Sequence, residues 1–130
     1  MKTQYYTSDK ESNLDRVKKI ANREKLEIKV PAPNELFLDI DDSESYNIFQ
    51  KHLEIFKKHF KVLNVKESLS KNDNLHIRVV LDFKVSDKDR LLLQSLLGSD
   101  RLRDLHGYIQ LRNGETHPTL FLERKCKFSG

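Results

Sequence analysis

A single cysteine, Cys126, stands among 130 residues. No disulfide can therefore close within the chain, and no Cys/His spacing matches a structural zinc site. No stretch approaches the roughly 20 consecutive apolar residues that a membrane-spanning helix needs. The start, MKTQYYTSDKES, is polar and lacks the apolar stretch of a secretion signal. These absences predict a cytoplasmic protein with no membrane attachment. A basic block is missing too. There are 24 Lys and Arg against 20 Asp and Glu, a formal net charge of +4, with the signs interspersed. This small excess favours anionic partners such as nucleotides or nucleic acid, and it excludes a protein that coats DNA by charge alone. Internal repeats and low-complexity segments are also absent.

What is present reads as one α+β domain. Hydrophobic residues make up 37% of the chain and charged residues 34%, above the disordered range. A chain of this length buries roughly two-thirds of its unfolded surface and folds without staples. Ser8 or Asp9 caps a helix over residues 8–26, with Leu14, Val17, Ile20 and Ala21 on one face. Pro31 and Pro33 then punctuate the chain, so residues 1–34 read as an N-terminal helical extension and 35–130 as the core domain.

The core opens on ELFLDID, residues 35–41, where Leu36, Leu38 and Ile40 alternate with Phe37, Asp39 and Asp41. Period two predicts a strand. Ser43 caps a helix to residue 60 with a stripe of Tyr46, Phe49, Leu53, Phe56 and Phe60. Strands follow over 62–69 and 75–84, separated by a turn at 71–74. In the second of them Leu75, Ile77, Val79 and Leu81 share one face, and His76, Arg78, Val80 and Asp82 the other. Ser86 caps a helix to Leu97, Gly98 ends it, and a short helix runs from Asp100 to Leu105. A last strand covers 118–123. The order from residue 35 is β-α-β-β-α-β, the ferredoxin-like arrangement shared by RNA-recognition (RRM) domains. Its first and third strands are central neighbours, and both helices cover one face. Asp39, Asp41, His76, Arg78 and Asp82 then converge on the other, open face.

Two carboxylates two residues apart on a strand suit a hard divalent cation, Mg²⁺ or Mn²⁺, completed by substrate phosphate. Asp39 and Asp41 meet that need, with His76 or Arg78 placed to hold the phosphate. A further acid, Asp82 or Glu123, completes a two-metal site. A second phosphate candidate is the helix start at Asp100, where Arg101 and Arg103 reinforce the free amides, although Asp100 itself fills the cap. Base stacking in the RNA-recognition manner uses aromatic side chains, and this face offers only Phe37.

The combination of Leu38-Asp39-Ile40-Asp41 on a first strand with Leu75-His76-Ile77-Arg78 on a later one resembles the catalytic core of archaeo-eukaryotic primases. That family carries an hDhD strand, a small-x-His strand and a third acidic strand on a sheet related to the RNA-recognition fold. The resemblance covers about residues 35–123. It implies metal ligation by Asp39 and Asp41, nucleotide-phosphate contact by His76, and a third acid at Asp82 or Glu123. The implied activity is metal-dependent nucleotidyl transfer, or a degenerate form that keeps nucleotide or nucleic-acid binding. The chain is shorter than working primases, has no zinc module, and carries Asn74 where a glycine-serine context is usual. The stretch Leu93–Asp100, followed by Pro118–Phe121, is similar to small phage-type proteins of unassigned role. The alternative function is a non-catalytic phage-type regulator or inhibitor that contacts a host or replication protein.

Overall fold

In chain order the elements are α1 (Asn13–Glu24), β1 (Leu26–Lys29), β2 (Glu35–Ile40), α2 (Ser43–Lys57), β3 (Val62–Leu69), β4 (Leu75–Leu81), α3 (Asp87–Leu96), α4 (Arg101–Arg112) and β5 (Phe121–Arg124). The structure, a computed structural model, describes residues 13–70, 74–114 and 119–124. The expected caps Ser8 and Asp9, most of the expected turn at 71–74, and Cys126 lie outside the described residues. No helix among the described residues is long and apolar enough to cross a membrane.

The alternation in β2 and β4 decides where the core lies. The two strands pair antiparallel, with Leu36 opposite Val79, Leu38 opposite Ile77 and Asp39 opposite His76, and β3 flanks the other side of β4. Their aliphatic face is buried under α2, where Phe49, Leu53 and Phe56 recur at helical spacing and fill the cluster with Leu36, Leu38, Ile40, Ile77, Val79 and Leu81. The side chain of Asp42, rather than the expected Ser43, caps α2 by accepting from Ser45 N–H. Ser86 caps α3 as its position implies. Leu93 and Leu97 of the α3 segment reach the same cluster.

The fold is α+β with two small antiparallel sheets, and its strand order departs from the ferredoxin-like expectation. One sheet has the order β2-β4-β3; the other pairs β5 with β1. In the expected arrangement the fourth strand flanks the first. Here that edge of β2 is already satisfied by α3 and α4. Arg90 Nε donates to Glu35 O at 2.8 Å, Phe37 N–H donates to Gln94 Oε1 at 2.8 Å, and Arg103 Nη1 donates to Phe37 O at 2.9 Å. Asp39 N–H donates to Ser99 Oγ at 3.0 Å, and Asp100 N–H donates to Asp39 O at 2.9 Å. A buried strand edge must pair with something, and these groups supply the partners.

β5 therefore crosses the other face of the sheet. Phe121 stacks on Phe37 with ring centroids 4.5 Å apart and on His76 at 3.6 Å. The face expected to be open is covered here: Phe37 is 1% exposed and His76 5%. Strand β1 lies within the stretch read as a helical extension, where α1 ends at Glu24 and Lys25 turns the chain with φ +56°. Helix α4 continues past the expected end at Leu105 to Arg112, through a buried Gly107.

Candidate metal centre

Asp39 is the last outward-facing residue of β2, and Asp41 follows it where the strand ends. A third carboxylate joins them from the residue that caps α4. Gly98 leaves α3 with φ +97°, a conformation that favours glycine, and a Cβ there would stand 3.1 Å from Ser45 O. This turn brings Ser99 and Asp100 against the edge of β2. Asp100 caps α4 by accepting from Leu102 N–H at 3.0 Å and Arg103 N–H at 3.4 Å, as its place in the sequence implies. The same residue closes an acidic cluster: one carboxylate oxygen from each of Asp39, Asp41 and Asp100 lies within 4.8 Å of the others.

Crowded carboxylates bind protons more tightly. Asp41 is pushed up to about 6, by desolvation first and then by the charges of Asp39 and Asp100. Burial raises Asp39 as well, opposed by the Arg103 and His76 charges. Oδ1 of Asp39 is buried without a hydrogen-bond partner among the described residues.

Behind the cluster sits a second polar group. Nδ1 of His76 is 2.7 Å from Glu123 Oε2, which also accepts from Ser68 Oγ at 2.5 Å. Lys29 Nζ stands 3.6 Å from the other Glu123 oxygen. Burial pushes Glu123 up, but the hydrogen bonds from Ser68 and His76 outweigh it and hold the carboxyl below its usual value. Burial lowers the pKa of His76, opposed by its hydrogen bond to Glu123 and by the Asp39 charge. Arg103 Nη1 is 3.5 Å from Asp104 Oδ1, and its guanidinium carbon lies 5.2 Å from the centroid of Phe121. A groove of about 470 Å³ opens beside this group, lined by His76, Asp100, Arg103, His106 and the apolar Leu102 and Leu122.

The residues singled out in the sequence thus separate. Asp39, Asp41, His76 and Arg103 come together. Glu123 sits behind His76 rather than among the three carboxylates. Asp82 lies beyond the far end of β4, beside Pro33 and Asn34 in a different cleft. It is six steps along the chain from His76, about 20 Å at the usual strand rise. Arg78 is opposite Phe37 and Lys66 and makes no hydrogen bond or ion pair with the acids among the described residues. Arg101 is exposed and lines another cleft on α3 and α4. Asp100 read in the sequence as the cap of a phosphate candidate and not as a third acid, and the role of Gln94 at the β2 edge was not read at all, because contact between the α3–α4 turn and that edge leaves no periodic signal.

Asp104 offers a test of these electrostatics away from the cluster. It is 5% exposed, its Oδ1 accepts from Gln94 Nε2 at 3.2 Å, and burial pushes its pKa up to about 6. A raised acid pKa means that the folded state holds its proton longer than the unfolded chain. Stability conferred by the neutral form is then lost as pH rises from about 4 to about 6. Asp104→Asn should gain on the wild type by on the order of 2–3 kcal/mol between pH 4 and pH 7. Denaturant melts at both pH values read the difference, and a gap that does not change with pH contradicts it.

No family model matches the chain, and neither a curated protein nor a solved structure matches it.

Proposed function

We propose that the chain binds the phosphates of a nucleotide or nucleic acid through a divalent cation held by Asp39, Asp41 and Asp100, as a small primase-like protein. The observation that carries this reading is the convergence of these three carboxylates, one of which, Asp39, also has an oxygen buried without a hydrogen-bond partner among the described residues. A cation relieves their mutual repulsion. Mg²⁺ and Mn²⁺ fit such a set, since they bind one or two carboxylates and complete their shell with water and substrate phosphate. The covered sheet face gives no room for bases to stack across it. The ligand enters instead by the groove beside Asp100, with Arg103 close to its anionic end.

The test follows melting temperature and heat on titration with Mn²⁺, then with a nucleoside triphosphate, in the wild type and in Asp39→Ala/Asp41→Ala. A cation that binds only the folded state stabilises it by about 2.7 kcal/mol at one hundred times its Kd. The wild type should gain that stability and should take up the triphosphate only when Mn²⁺ is present, while the double variant does neither. In the absence of metal, Asp39→Asn should be neutral or stabilising, because it removes a repelled charge. Equal responses in wild type and variant would sink the proposal. They would favour the second reading, a regulator or inhibitor working through protein contact, for which the exposed Leu92, Leu105 and Tyr108 around a cleft of about 340 Å³ are the relevant surface.

A further inference from the structure

The positive charge of the chain is small as a sum, but the fold places it unevenly. Between Ile55 and Lys66 stand four lysines and no acid. Lys57 ends α2, Lys58 caps it, and the chain then turns back against the end of β4. There Asp82 N–H donates to Lys61 O at 3.1 Å, and the ring centroids of Phe60 and Phe83 are 5.5 Å apart. Lys57, Lys58, Lys61 and Lys84 are exposed and make no ion pair among the described residues. The helix dipole favours a basic residue at the end of α2, which accounts for Lys57 and Lys58 but not for Lys61 or Lys84. Two apolar side chains stand exposed among these charges, Phe60 by 47% and Leu63 by 52%.

The same end holds a cleft of about 400 Å³, lined by Leu63, Phe83, Lys84, Asn34 and Asp82 among others. An apolar frame with a few polar groups is the usual make-up of a small-ligand site. Asn34 Nδ2 donates to Leu81 O at 3.0 Å, which leaves Oδ1 as an acceptor. The Asp82 carboxylate makes no hydrogen bond or ion pair among the described residues. Acceptors of this kind match the amino groups of bases, and the Phe83 ring offers a base a stacking partner. A lipid surface also attracts exposed lysines, but it has no use for a half-buried ring beside acceptors. The carboxylates of Asp39, Asp41 and Asp100 lie beyond the other end of β4, so without a cation a polyanion is repelled there and drawn here.

We propose that this basic end, with Lys61 and Lys84 beside the Phe83 cleft, binds single-stranded nucleic acid without a metal. This goes beyond the cation reading and does not depend on it. Phosphates lie against the four lysines, and one unpaired base enters the cleft. So few lysines cannot hold the polymer by charge alone, and the base contact supplies the rest. It also selects against a duplex, whose bases are occupied.

The test follows fluorescence anisotropy of labelled single strands in EDTA, DNA and RNA of one mixed sequence, roughly 12 nucleotides long. Binding of either by this surface supports the proposal. Affinity should fall about 20- to 50-fold between roughly 50 and 200 mM salt, the release expected of three or four phosphate contacts. Lys61→Gln/Lys84→Gln should lower the slope of log K against log salt by about 1.4 and leave the melting temperature unchanged. Arg101→Gln/Arg112→Gln, the same loss of charge from exposed sites on α4, should leave the slope as it is. Phe83→Leu should weaken binding by about 5- to 150-fold without changing the slope, a pattern that general destabilisation does not produce. Equal losses in the two charge variants would overturn the proposal, as would a duplex that binds as tightly as the single strand. Binding to phosphatidylserine vesicles with none to the oligonucleotides would overturn it in favour of a lipid surface. Binding that appears only with Mn²⁺, and is lost in Asp39→Ala/Asp41→Ala, would overturn it while supporting the cation reading.

Discussion

Phe121→Ala should destabilise the fold by roughly 3–5 kcal/mol, the range for removing a buried aromatic ring. The ring is 1% exposed and lies between Phe37 and His76. Its loss leaves a cavity where β5 crosses the sheet and removes the contact beneath the Arg103 guanidinium. Phe121→Leu, which keeps much of the volume, should cost clearly less. Urea melts of both variants measure this. A cost below about 0.5 kcal/mol, typical of surface changes, would mean that β5 does not cover this face and that the groove is a wider, open surface.

Gln94→Leu should cost roughly 2–6 kcal/mol although it nearly preserves volume. Gln94 is fully buried, accepts from Phe37 N–H and donates to Asp104. Leucine can do neither. A buried amide and a buried carboxylate would each lose a partner, at about 1–3 kcal/mol apiece. Leu92→Ala on the same helix, at a position 57% exposed, should stay within about 0.5 kcal/mol. Similar costs for the two variants would contradict the account of how β2's edge is sealed, and with it the reason the fourth strand lies elsewhere.

The half of the site carried by β2 and β4 was legible because a strand's alternation is a local property. Two runs of period two put Asp39 and His76 on one face, and antiparallel pairing made them direct neighbours. Parity reports the face but not the position along it, so Asp82 shares the parity of His76 and still ends up beside Asn34. The rest depended on contacts between distant segments. Asp100 reads locally as a cap, and it is one; that it also meets Asp39 follows from a left-handed glycine and from two hydrogen bonds spanning about sixty residues of chain. β1 is only Leu26–Lys29, too short for its alternation to stand out after a helix. Without β1, nothing in the sequence of β5 tells whether it flanks β2 or crosses over it.

The central claim is that Asp39, Asp41 and Asp100 share one cation, and anomalous diffraction from crystals grown with Mn²⁺ tests it most directly. The account predicts a Mn²⁺ peak within about 2.0–2.6 Å, the usual range for hard cations on oxygen, of a carboxylate oxygen of Asp39 and of one from Asp41 or Asp100. Well-ordered carboxylates with no peak between them, or a peak only at another place on the surface, would contradict it.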